Sequence, residues 1–246
     1  GAILLSWFFI RLGETLPVKK RRVFKLKQIL PSLEEMYLNK QVRLAICTQT
    51  LSYVTLFASI ILIQPIFDQS YYKANSFAKW FAVIAVVSAL SSLMNARLVI
   101  RFGMRTMVLF SLLGQIVACV CVLIYFVQAP SPKTILPFIV YIIWQTGVFF
   151  QVGFTLGNLN ALALQPMGHL AGFAASVTGS ISTVIAAILA SIINRLFDGT
   201  PLPLVLCCFL IVCVAFGVAR HLPVDNLDTP TKNRWPPKKN LKIKIF

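Results

Sequence analysis

The chain has 246 residues, of which 58% are hydrophobic and only 12% charged, and its mean hydropathy is +0.81. Soluble domains run near 45–50% apolar and about 25% charged, so these figures exclude an ordinary soluble fold. The formal net charge of +16 would suit nucleic acid on a soluble protein, but the basic residues gather at the ends of apolar runs and in the tails, where they act as topology signals.

Residues 1–10 form an apolar run about half as long as a membrane crossing requires. The run lacks the basic head and small-residue cleavage site of a secretory signal. It reads as the inner end of a truncated span. Residues 11–43 read as a basic polar linker carrying Lys19, Lys20, Arg21, Arg22, Lys25 and Lys27. Within it, residues 31–38 predict a short surface helix, with Ser32 as N-cap and Glu35 three residues on, the capping-box spacing.

Six apolar runs follow, at 44–64, 77–96, 106–127, 135–156, 172–194 and 201–219, each about the length that crosses a bilayer. The connections are short, so consecutive helices are expected to be antiparallel neighbours. The fold class is therefore an all-α membrane protein, a six-helix transmembrane bundle. Residues 220–246, rich in proline and lysine, read as a disordered basic tail lying against anionic headgroups.

Lysine and arginine placement orients the bundle. Nineteen of the 23 fall in the linker, the second connection (Arg97, Arg101, Arg105) and the tail, against four (Lys73, Lys79, Lys133, Arg195) on the other side. By the positive-inside rule the linker, the second and fourth connections and the tail are cytoplasmic. Both ends of the block then lie inside, as an even number of spans requires.

The six cysteines, Cys47, Cys119, Cys121, Cys207, Cys208 and Cys213, all sit in apolar runs without metal spacing. They read as small buried hydrophobes, and no metal or cofactor site is expected. His169 and Ser180 form no nucleophile–base pattern, so the chain is read as not an enzyme.

The spans hold almost no ionisable residues, which leaves neutral polar groups to carry function. In the first span Thr48, Ser52, Thr55 and Ser59 recur at spacings of 4, 3 and 4, one helix face, with Gln49 and Tyr53 flanking. In the fourth, Trp144, Val148, Gln151, Thr155 and Asn158 share a face, with Tyr141 and Gln145 close by. The first face suits the wall of a water-filled cavity, and the second a binding pocket for a small apolar or cationic molecule. The alternatives are interhelical or back-bonded hydroxyls and, for Tyr141 and Trp144, an interfacial aromatic belt. Thr48, Ser52, Thr55, Trp144, Gln145 and Gln151 are the substrate-binding candidates. The fifth span carries small residues every third or fourth position, which allows close helix approach. Asn95, Arg97, Arg101, Gly103 and Arg105 mark a tight turn between the second and third spans.

Several motifs resemble the C-terminal half of major facilitator superfamily drug-efflux transporters, in the bicyclomycin and chloramphenicol resistance branch. Glu14-Thr15-Leu16-Pro17 resembles the sequence after that family's sixth span. Ser59 and Gln64, with Phe67 beyond, resemble the S-P-F-x-x-Q stretch ending its seventh, with Ile60 at the proline's place. Asn95-Ala96-Arg97-Leu98 with Arg101, Gly103 and Arg105 resembles the loop after its eighth. Gln165-Pro166-Met167-Gly168-His169-Leu170-Ala171-Gly172, then Ala174-Ala175-Ser176 and Gly179, resembles the approach to its eleventh, where many relatives carry an acid at the position of Gln165. Asp198-Gly199-Thr200-Pro201 resembles its last external turn.

The resemblance implies half of a twelve-helix fold in a bacterial inner membrane. The implied activity is alternating-access efflux of drugs or other small molecules, with protons as the coupling ion and a missing N-terminal six-helix half as partner. It places the first and fourth runs of this chain at the central cavity and gives Arg97, Gly103 and Arg105 a gating role. A metabolite or siderophore exporter of the same superfamily is the alternative, and a standalone six-span structural or channel-like protein is the alternative from another class.

Overall fold

The computed structural model describes residues 6, 7, 11, 29–128 and 135–223. Most of residues 1–28, with the run at 1–10 and the basic block, lies outside the described residues, as do Lys133 and the tail beyond Pro223. The chain divides into two compact units, Gly1–Glu35 and Met36–Phe246. In the first, the Arg11 guanidinium sits 5.5 Å from the centre of the Trp7 ring.

Helix α1 (Ile29–Leu38) is already running at Ile29, so Ser32 lies inside it and does not cap it. The cap appears at the next helix. Asn39, in extended backbone, accepts the Val42 N–H at 3.2 Å through its side-chain oxygen and opens α2 (Lys40–Pro65); asparagine is among the strongest N-caps. Pro65 has no N–H to donate, and past it the backbone widens into a π turn, Ile66–Ser70.

The remaining helices are α3 (Phe77–Phe102), α4 (Met104–Gln128), α5 (Ile135–Leu164), α6 (Ala171–Asn194) and α7 (Leu202–Ala219). Among the described residues there is no strand. The helices α2 to α7 are long and apolar enough to cross a membrane. Ile135–Asn194 is one apolar stretch that the 3-10 turn Gln165–Leu170 breaks into α5 and α6.

Several helices outrun the apolar runs that announce them. Arg97 and Arg101 belong to α3, and α5 carries on to Leu164, so the connections shrink to Gly103 alone and to six residues. The apolar run ends where the hydrocarbon would end, whereas the helical hydrogen-bond ladder continues through the polar interface. Gly103 adopts φ +81°, a backbone region glycine enters without a Cβ penalty.

The packing corrects the expectation that chain neighbours are spatial neighbours. Of the consecutive pairs among the spans only α4 and α5 pack extensively. Helix α2 instead packs on α5, α6 and α7, α3 on α5, and α4 on α7, while α3 barely touches α4 and α6 barely touches α7. Two of these pairs are parallel. Trp80–Phe138, Phe81–Phe149 and Asn95–Asn158 align α3 with α5 in the same direction. Gln41–Gln165, Thr50–Ser182 and Ser70–Gly199 do the same for α2 and α6. The helix between two alternate spans serves as the return path, so parallel contact needs no long loop.

Helices α2 and α5 thus form the centre. At the end where α2 finishes, Phe67, Tyr71, Phe138 and Tyr141 interlock with ring centroids 5.3–6.4 Å apart. The Tyr71 hydroxyl donates to the Pro137 carbonyl at 3.2 Å. Cys119 and Cys208 are buried as expected, but Cys47 and Cys121 are exposed on helix faces that no other helix covers; all six cysteines are free.

Candidate functional site

All six substrate-binding candidates are buried inside the second unit, none more than 3% exposed. Their partners sort them into two sets. The Thr48 hydroxyl donates to the Leu44 carbonyl at 2.9 Å and the Thr55 hydroxyl to the Ser52 carbonyl at 2.8 Å. The Trp144 indole N–H donates to the Cys119 sulfur at 3.3 Å, and Gln115 approaches the same sulfur at 3.7 Å. These three candidates have satisfied polar groups. Trp144 and Tyr141 belong to the core and not to an interfacial belt.

The other three are incomplete. Ser52 Oγ, Gln145 Oε1 and Gln151 Oε1 are buried without a hydrogen-bond partner, as are Gln49 Oε1, Tyr141 Oη, Ser88 Oγ on α3 and Thr178 Oγ1 on α6. Gln145 reaches α2 only through its amide nitrogen, which donates to the Ser59 carbonyl at 3.4 Å. Gln151 donates to Thr155 at 3.2 Å on its own helix. An unpaired buried polar atom costs about 1–3 kcal/mol, and in native structures such atoms mark water, ligand or a second conformation. Most of the unsatisfied set lies on α2 and α5, the two central helices.

The turn motif separates likewise. Arg105 Nη2 donates to the Arg220 carbonyl at 2.8 Å, tying the start of α4 to the end of α7, while its Nε is buried and unpaired. Arg97 and Arg101 are exposed, and Arg101 lies 5.3 Å from the centre of the Phe102 ring. Asn95 does not join the turn. Its amide and that of Asn158 exchange hydrogen bonds at 2.8 and 3.4 Å, a clasp between α3 and α5. Sequence periodicity marks Asn158 as facing inward but contains nothing that pairs it with Asn95.

Helix α6 buries a stripe of small residues, Ala174, Thr178, Ser182, Ala186 and Ala190. Its exposed surface is asymmetric. One flank is small (Thr183, Ala187, Ser191) and the other large (Ile181, Ile185, Leu189, Ile192). Helix α3 repeats this division, exposing Ala82, Ala85, Ala89, Ser92 and Ala96 on one flank and Val83, Val87, Leu90 and Met94 on the other. The spacing of 3 and 4 between the small residues along α3 is the sequence signal of this flank.

Set beside known proteins, the chain matches no family model, no curated protein and no solved structure.

Proposed function

We propose that this chain is one six-helix bundle of a membrane transporter that exports drugs or other small molecules by alternating access, rocking against a second six-helix bundle and coupled to proton entry. The carrying observation is the matched pair of small-residue flanks on α3 and α6, the span helices α2 and α5 leave at the margins. Lipid-facing surfaces need no small side chains; close approach of another helix does. A second bundle seated on both flanks closes over α2 and α5, behind whose surfaces the unpaired Ser52, Gln145 and Gln151 oxygens are buried.

The motif resemblances support the same reading, as does the neutral interior of the spans, which leaves proton-carrying acids to the partner bundle. On this reading the basic end faces the cytoplasm of a bacterial inner-membrane protein. The substrate meets weak, shape-tolerant polar contacts rather than a charged site. Arg105 steadies the cytoplasmic end in one gating state.

The experiment is drug export by the complete protein in inverted membrane vesicles energised by a proton gradient. Gln145→Leu, Gln151→Leu and Ser52→Ala should each lower the export rate or change the substrate range, while Thr48→Val and Thr55→Val should not. Unchanged export by all three members of the first set sinks the assignment.

A further inference from the structure

The basic end of the second unit carries a charge pattern that its described residues do not balance. Lys40, Arg43, Arg97, Arg101, Arg105 and Arg220 stand at the helix ends there. Among the described residues of this unit, the carboxylates are Asp68 and Asp198, both at the opposite end, beside Ser70 and Gly199. Where α3, α4 and α7 meet, one guanidinium is incompletely used. Arg105 spends Nη2 on the Arg220 carbonyl, and its Nε–H, buried against the turn, finds no acceptor. Arg101 and Arg220 are exposed.

The apolar surface next to this group is also uncovered. Helices α3 and α4 share a one-residue turn at Gly103 yet hardly touch beyond it, because each packs on α5. Ile100 on α3 and Phe110 on α4 are 81% and 63% exposed.

We infer that the α3–α4 turn and the end of α7 form a binding site for the phosphate of an anionic phospholipid. Arg105 anchors the phosphate through the planar fork that suits its oxygens, and Arg101 and Arg220 supply the surrounding charge. The acyl chains lie along the divergence between α3 and α4. The phosphate meets the guanidinium edges left open to solvent, and the alkyl surface of the same molecule covers Phe110. A free phosphate does only the first. The inference rests on membrane insertion and not on transport, so the two readings fail separately.

The test is native mass spectrometry of the full chain taken from nanodiscs containing equal zwitterionic and anionic phospholipid. The wild type should retain anionic lipid selectively. Arg101→Gln with Arg220→Gln, both exposed and outside the packed core, should lower that retention by roughly fivefold for each charge removed. Arg105→Lys, which keeps the charge and loses the fork, should lower it too. Arg195→Gln at the opposite end should not. Equal retention by all variants overturns the site, as does an equal loss from Arg195→Gln. Displacement by millimolar inorganic phosphate overturns the lipid in favour of a free anion. A chain truncated after Pro223 should behave as wild type; loss of retention there moves the site to the tail and overturns it here.

Discussion

Gly153 on α5 sits against α3 too closely to admit a side chain. A Cβ built there would overlap the Ser91 hydroxyl of α3, with the Ser91 Cβ at 2.9 Å and the Ser92 nitrogen at 3.7 Å. The hydroxyl can rotate away; the Cβ and backbone cannot, so Gly153→Ala has to push α3 off α5. Overpacking costs about 1–3 kcal/mol, against a gain of roughly 1 kcal/mol for replacing glycine in a helix. At this severity the upper part of the first range applies, and a net loss of about 1–2 kcal/mol follows.

Two other glycines of α5 calibrate the result. An alanine Cβ at Gly157 has nothing within 4 Å, and one at Gly147 meets only the movable Gln115 Oε1 at 3.3 Å. Gly157→Ala should therefore raise stability by up to ~1 kcal/mol, and Gly147→Ala should be near neutral. The assay is reversible unfolding of the detergent-solubilised chain by increasing denaturing surfactant. Ser91→Gly should restore much of what Gly153→Ala removes, because it deletes the atoms that clash. Equal stability of the Gly153 and Gly157 variants, or no rescue by Ser91→Gly, refutes the α3–α5 contact.

The Asn95–Asn158 clasp should behave as a coupled pair. Asn95→Leu and Asn158→Leu are each expected to lose about 1–2 kcal/mol, with a positive coupling energy in the double-mutant cycle of the same unfolding assay; strict additivity would mean that the amides do not pair. Thr50→Val removes the hydroxyl that contacts Ser182 at 3.2 Å and the Ile46 carbonyl at 2.8 Å, and should cost about 0.6 kcal/mol, the mean for polar contacts in membrane bundles. Tyr71→Phe deletes only the donor to the Pro137 carbonyl; a loss of about 0.5–1.5 kcal/mol is expected, measured as faster amide exchange at the start of α5. If exchange there is unchanged, the bond does not hold that helix end.

The positions of the spans were legible because lipid imposes one-dimensional constraints: length, apolarity and charge at the ends. All six runs contain a helix, and their polar faces turn inward on α2 and α5. Helix ends were less legible, since Arg97 and Arg101 look like a loop to any hydropathy argument while their backbone remains helical. Partner choice was hidden altogether. Thr50 and Ser182 are 132 residues apart, and Asn95 and Asn158 are 63 apart, and nothing local distinguishes a hydroxyl that bonds its own helix from one that crosses to another. The sorting of the six candidates into satisfied and unsatisfied polar groups likewise depends on three-dimensional neighbours. Thr55 and Ser52 look equivalent by periodicity, yet only the threonine hydroxyl reaches a carbonyl within 3 Å.

The hub role of α2 has a consequence for biogenesis. Its large contacts are with α5, α6 and α7, all of which leave the ribosome after it, and α3 likewise waits for α5. During synthesis α2 therefore waits in the membrane for about 100 residues of elongation until α5 is complete, and α3 for about 60, with the polar groups of Thr48, Gln49, Ser52 and Ser91 turned toward lipid or toward the insertion machinery. At ~5–20 residues per second, those intervals last seconds. A nascent chain arrested before Ile135 should hence remain bound to the insertion machinery, and release should begin only when α5 arrives to complete the centre.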